Sequence, residues 1–150
     1  MKRALLFTVA LYCFICSAHA QVASHDLSKA ILKNNAAVAA TLLSAGANAN
    51  AAIEVVPGFP TTYLITAASN NSLDLVKLLL QHKAQVNQPD TFKATALMAA
   101  AGKGNKAMVE LLLASGADAR AKDDEGKDAL ALAKESGNAE VVALLEQRLK

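Results

Sequence analysis

The sequence predicts an all-α solenoid in which one supersecondary unit is stacked four times. Two observations predict it. Leu64, Leu97 and Leu130 stand 33 residues apart, and Val76, Val109 and Val142 keep the same interval. Self-similarity at such a period marks a repeat architecture, because a single unit cannot bury its apolar face alone. The second observation is the residue at one equivalent position of the four units, which is Asn34, Asn71, Gly104 and Gly137. Glycine and asparagine enter the left-handed region most cheaply, so a positive-φ turn is predicted between two helices of every unit.

The N-terminus comes first. Met1-Lys2-Arg3 precedes an apolar run from Ala4 to Cys16, and Ala18-His19-Ala20 forms a small-x-small pattern just before Gln21. Residues 1–20 therefore read as a secretory signal peptide, and the apolar run is too short to span a bilayer, which takes about 20 residues. Neither Cys13 nor Cys16 follows the Leu-small-small sequence of lipoprotein processing. Cleavage would leave residues 21–150 as one repeat domain, periplasmic or secreted. It would remove both cysteines, which suits an oxidising compartment. It would also take Lys2 and Arg3 from a chain with 15 basic and 13 acidic residues, leaving a net charge of zero. A neutral chain is not an electrostatic binder of nucleic acid, nor of an anionic membrane once the leader is gone.

The repeats follow at about 24–52, 60–90, 93–123 and 126–150, aligned on Leu27, Leu64, Leu97 and Leu130. In the second unit the apolar spacing predicts one helix over 62–70 and another over 73–81. Leu64, Ala67, Ala68, Leu75, Val76, Leu79 and Leu80 supply their buried faces. Ala30, Ala67, Ala100 and Ala133 share one position where neighbouring helices approach closely, and a larger side chain there is expected to overpack the stack. After the second helix Gly46 and Gly116 predict a left-handed turn, but the second unit has Lys83 there. The terminal units are atypical, as caps should be. Ser24 or Asp26 can cap the opening helix. Lys134, Glu135, Glu146, Gln147, Arg148 and Lys150 give the last unit a polar outer face. On this reading the chain is complete without a catalytic domain.

Thr62-Tyr63-Leu64-Ile65-Thr66-Ala67-Ala68 and Thr95-Ala96-Leu97-Met98-Ala99-Ala100-Ala101 resemble the Thr-Pro-Leu-His-x-Ala-Ala signature of the ankyrin-repeat family, and Gly116-Ala117-Asp118 resembles its Gly-Ala-Asp/Asn close. The resemblance implies helix-turn-helix units joined by short β-hairpin-like fingers. It also implies a protein partner bound by finger tips and the concave face of the inner helices, with no enzyme activity.

No constellation for chemistry competes with that reading. Asp123-Asp124-Glu125 is the densest acid cluster, but Ala121 to Lys127 resembles the Asp-x-x-Gly turn leading into each ankyrin repeat, and adjacent carboxylates lack the spaced oxygens of a calcium loop. His25 and His82 are far apart and have no cysteine beside them, so no zinc spacing exists. Ser44, Ser69, Ser72, Ser115 and Ser136 sit at helix ends or turns, outside any Gly-x-Ser-x-Gly elbow. Gly102-Lys103-Gly104 lacks the strand and spacing of a phosphate loop. Asn70-Asn71-Ser72 is a glycosylation sequon of the kind that arises by chance. No catalytic residue, metal or cofactor is expected.

The binding surface is sought where the period fails. Leu27 and Leu64 are 37 residues apart, and the excess falls in a finger from Ala49 to Thr62. It carries Ile53, Glu54, Val55 and Val56, then Pro57-Gly58, which suits the centre of a type II turn, then Phe59 and Pro60. Phe59, Tyr63 and Phe92 are the only aromatic residues after the leader, and aromatic anchors inside a polar rim make interface hot spots. The bland alternatives are that Phe59 folds over its own finger and that Phe92 packs between repeats, the latter favoured by its size. Match to the variable signature positions adds Ile65, Thr66, Ser69, Met98, Ala99 and Lys103, with Ile65 and Met98 forming a mildly apolar groove flanked by Lys93 and Lys103. Asn48, Asn50 and Asn87 are expected to satisfy finger backbone. The function expected is non-enzymatic binding of a protein in the bacterial envelope by a chain that is monomeric when unbound, as in small bacterial ankyrin proteins that protect or assist an envelope enzyme. An immunity protein against a periplasm-directed toxin and a secreted effector binding a host protein are the alternatives.

Overall fold

The structure, a computed structural model, describes residues 25–150; residues 1–20 with Cys13 and Cys16, and the capping candidate Ser24, lie outside the described residues. Eight helices in four antiparallel pairs make up the described part. The helix over 25–32 (α1) pairs with α2 (Ala36–Ser44), and α3 (Tyr63–Ser69) pairs with α4 (Leu73–Gln81). Two further pairs follow, α5 (Ala96–Gly102) with α6 (Lys106–Ala114) and α7 (Ala129–Ser136) with α8 (Ala139–Leu149). The inner helices α3, α5 and α7 form one row and the outer helices α2, α4, α6 and α8 another, each helix contacting its counterpart in the next repeat. No helix among the described residues is long and apolar enough to cross a membrane.

The stacking explains the period. Leu64, Leu97, Val76 and Val109 are fully covered because a repeat lies on each side, whereas Leu130 and Val142 in the last repeat are only partly covered. Ala30, Ala67, Ala100 and Ala133 are all buried, with no room for a longer side chain where inner helices meet. Each inner helix opens on a side-chain cap: Thr62 accepts from the Ile65 N–H at 3.1 Å, Thr95 from Met98 at 3.4 Å and Asp128 from Ala131 at 2.8 Å. The predicted 62–70 helix thus begins one residue later, with Thr62 as its cap.

The inter-helix turns adopt the left-handed conformation as expected, with φ of 54° at Asn34, 61° at Asn71, 66° at Gly104 and 72° at Gly137. The N-cap of the following outer helix reaches back to this residue in the preceding repeat. The Ser72 hydroxyl bonds the Asn34 side chain, the Asn105 amide bonds that of Asn71, and Asn138 Nδ2 donates to the Gly104 carbonyl at 2.9 Å. That last contact explains the glycine, since a Cβ at residue 104 would lie 3.0 Å from the Asn138 amide nitrogen. A second ladder ends the repeats. Asn50 Nδ2 donates to the Lys83 carbonyl at 3.1 Å and its Oδ1 accepts from the Gln85 N–H at 2.7 Å. Asn87 makes the same pair of bonds to Gly116 and Asp118 at 3.0 and 2.8 Å. The asparagine amides therefore serve finger backbone, as the sequence suggested.

Among the described residues only the first finger is a true hairpin. β1 (Ala52–Val56) and β2 (Phe59–Thr62) pair antiparallel in a two-stranded sheet. In the next two fingers aspartate chemistry replaces strand pairing. Asp90 Oδ1 accepts from the N–H groups of Phe92 and Ala94, both at 2.9 Å, and Asp123 Oδ1 does so from Glu125 and Lys127 at the same distance. A side chain that closes its own turn leaves little backbone free for a strand ladder.

Candidate functional site: the finger tips

The first finger projects because its extra residues extend the hairpin beyond the core. Ile53 and Thr61 are cross-strand partners at the base, and Ile53 is buried there. Farther out the register runs Glu54 with Pro60 and then Val56 with Phe59, so Val55 is the bulged residue. Gly58 closes the tip at φ 83°, the conformation required of the second central residue of the predicted type II turn. Because Val56 and Phe59 face each other across the strands, their side chains lie on one face of the hairpin.

Phe59 stacks on Phe92 of the second finger, with centroids 5.4 Å apart and planes inclined by 14°. Phe92 thus does pack against the finger of the preceding repeat, but each ring stays half exposed, Phe59 at 46% and Phe92 at 51%, beside Val55 at 53% and Val56 at 56%. The backbone beneath them is tied from finger to finger. Thr91 donates to the Pro60 carbonyl through its N–H at 3.3 Å and its hydroxyl at 2.8 Å. Asp124 N–H in turn donates to the Phe92 carbonyl at 3.0 Å, and the Asp124 carboxylate pairs with Lys93 at 2.8 Å. That carboxylate raises the Lys93 pKa through its hydrogen bond and its charge.

The rest of the sequence-predicted surface divides. Ile53, Tyr63, Ile65, Thr66 and Met98 are buried and present almost no area to a partner, which corrects their expected place in a binding surface. Tyr63 points its hydroxyl at Ser28 Oγ, 3.0 Å away. Thr66 turns its hydroxyl back on the Thr62 carbonyl at 2.9 Å, and Met98 curls its sulfur to within 3.4 Å of the Thr95 N–H. The expected apolar groove of Ile65 and Met98 is thus core, continuous with Leu64 and Leu97. Lys103 is exposed, but it caps the C-terminal end of α5, about 10 Å along the helix from the end that adjoins the fingers. The structure therefore gathers Val55, Val56, Phe59 and Phe92 and leaves Lys103 apart. Sequence reasoning missed the Pro60–Thr91 tie, and nothing in the spacing of those two residues announces it.

The acid cluster is occupied with structure. Asp123 closes its turn, Asp124 pairs with Lys93, and Glu125 and Glu135 both bind Lys127, at 3.1 and 3.0 Å, raising its pKa. Among the described residues no three His, Cys, Asp or Glu side chains come together as a metal site.

The family profile described as "Ankyrin repeats (3 copies)" matches residues 27–123 and again 64–148. The chain belongs to the ankyrin-repeat family. Ankyrin repeats are generally protein–protein interaction modules and typically non-enzymatic. A search of curated proteins returned no match. For this ankyrin stack the framework is accounted for by the caps, turns and ladders above, and what they leave unexplained is the apolar cluster on the first two fingers.

Proposed function

We propose that this ankyrin protein is a binding module of the bacterial envelope that docks a partner protein on the tips of its first two fingers. The half-exposed Phe59–Phe92 stack, with Val55 and Val56 beside it, carries the reading. Solvent-exposed aromatic groups held rigid by their neighbours lose little freedom on binding, and aromatic anchors dominate interface energetics. The envelope location is supported by the leader-like residues 1–20, with cleavage before Gln21 leaving a neutral, cysteine-free chain that is monomeric when unbound. A binder without chemistry of its own serves such a compartment by protecting or assisting an enzyme resident there.

The experiment is capture from a periplasmic extract, read by mass spectrometry, with wild type and the double variant Val56→Asp/Phe59→Asp. Wild type retains one partner in stoichiometric amount and the variant loses it. Both residues lie on the finger, outside the helices, so helical content stays at the wild-type value and the stability loss is confined to the Phe59–Phe92 stack, about 0.5–1.5 kcal/mol. Undiminished capture by the variant removes the finger tips as the docking surface.

A further inference from the structure

β1 is the outer strand of a sheet of only two strands, and its free edge differs from that of β2. On the β2 side Pro60 has no N–H, and its carbonyl is taken by Thr91 at 3.3 Å from the N–H and 2.8 Å from the hydroxyl. Since that carbonyl points away from β1, Pro60 and its partner Glu54 form a non-hydrogen-bonded pair of the antiparallel ladder. In such a pair both residues direct N–H and C=O outward. Ala52 and Thr62, two residues along, are in the same state, and the Thr62 carbonyl indeed turns out to the Thr66 hydroxyl at 2.9 Å. Ala52 and Glu54 therefore hold their N–H and C=O groups along the open edge at the spacing an incoming strand requires. Those groups make no hydrogen bond to other loops or side chains among the described residues. Edge strands of this kind are templates for pairing unless they are blunted. Here Pro60 and the Thr91 tie close the β2 side, while on the β1 side the short strand, its charge at Glu54 and its bulge at Val55 limit the open stretch to Ala52–Glu54.

Side-chain chemistry states what the incoming strand should carry. Glu54 is the one charged residue between Ala52 and Thr62, and it joins none of the salt bridges found among the described residues. It lies on the hairpin face opposite Val56 and Phe59, because their registers differ by one pleat. We infer that the β1 edge receives an extended segment of the partner protein as a third strand, with a basic residue beside Glu54 and apolar residues against Val56 and Phe59. The inference rests on the finger tips being a protein-docking surface. It adds that backbone hydrogen bonds to Ala52 and Glu54 hold the partner there.

The probe is an acetylated, amidated peptide of alternating valine and lysine, titrated into the full-length chain with amide exchange read at Ala52 and Glu54. Binding is expected to slow exchange at both amides by about tenfold or more. N-methylation of every second peptide amide is expected to weaken binding at least about tenfold, since it removes the donors of one edge. Glu54→Lys is expected to weaken the lysine peptide and to bind its glutamate counterpart, a rescue that lost folding could not produce. Absence of binding at roughly millimolar peptide, or equal binding of the N-methylated form, overturns strand addition. Capture that needs Val56 and Phe59 but brings no protection to Ala52 and Glu54 keeps the finger tip as the docking surface and rejects the third strand. Capture indifferent to Val56 and Phe59 rejects the docking surface itself.

Discussion

Lys83 stands where the other repeats place Gly46 and Gly116, and it adopts the same turn at φ 63°. Its N–H donates to the Leu80 carbonyl at 3.0 Å and the Ala84 N–H to Leu79 at 2.9 Å, the helix-ending pattern that Gly116 and Ala117 repeat at 3.1 and 2.9 Å. A side chain in the left-handed region costs about 1 kcal/mol or more relative to glycine, partly offset by the greater freedom of glycine in the unfolded chain. Lys83→Gly is therefore expected to stabilise the protein by about 0.5–1 kcal/mol, seen as a higher urea midpoint with an unchanged slope. The asparagines and glycines made the other left-handed turns legible in the sequence. Lys93, at φ 59°, was hidden, and only aligning Asp90-Thr91-Phe92-Lys93 with Asp123-Asp124-Glu125-Gly126 exposes it. Ile65 and Met98 misled for a related reason: a signature position fixes where a Cα lies, while the surrounding packing decides whether the side chain there is covered, as both are here.

Elements were legible to the extent that their signals are local. The extra length of the first finger and the Pro57-Gly58 turn predicted a projecting hairpin, which β1 and β2 form. The bulge at Val55 was not legible, since it depends on how the turn and Pro60 fix the register together. Nor was the stack of Phe59 on Phe92, which needs two fingers brought side by side by the helices beneath them. Tyr63, the first residue of α3, shows how an inner helix is tied to the repeat before it, through Ser28. Burial disfavours the phenolate and raises the Tyr63 pKa, and the Ser28 hydrogen bond opposes this more weakly. The unfolded chain then releases the proton first, so the stabilisation is complete below about pH 10 and is lost as pH rises through the higher folded value. Lys93 and Lys127, whose pKa values are also raised, lose their stabilisation in the same direction. The Tyr63→Phe variant separates the contributions: its urea midpoint is expected to fall less than that of wild type between pH 8 and pH 11, both values being about two units or less from the tyrosine titration.

At the scale of the molecule the stack is a row of neighbour contacts, and its two ends differ from its middle. α2 carries no charged residue and leaves Val38 exposed, while α8 presents Glu140, Glu146, Gln147 and Arg148. α5 packs between α3 and α7, in the interior of the row, so its packing couples the repeats before it to the last one. In such a row each interface adds its own stability, and cooperativity depends on the weakest interior contact. Ala100 on α5 is fully buried. A leucine there would have to push α5 from a neighbouring helix, at a cost of about 1–3 kcal/mol. Ala107 on α6 is exposed, and leucine there should change stability by no more than about 0.5 kcal/mol. Urea unfolding followed by circular dichroism should thus give a lower midpoint for Ala100→Leu and little change for Ala107→Leu. If the interior contact also holds the repeats together as one cooperative unit, the Ala100→Leu transition will be broader, with a smaller slope, because the repeats on either side unfold apart. A lower midpoint with the full wild-type slope would mean that the ladders of Asn50, Asn87, Asn105 and Asn138 are enough to keep the stack unfolding as one.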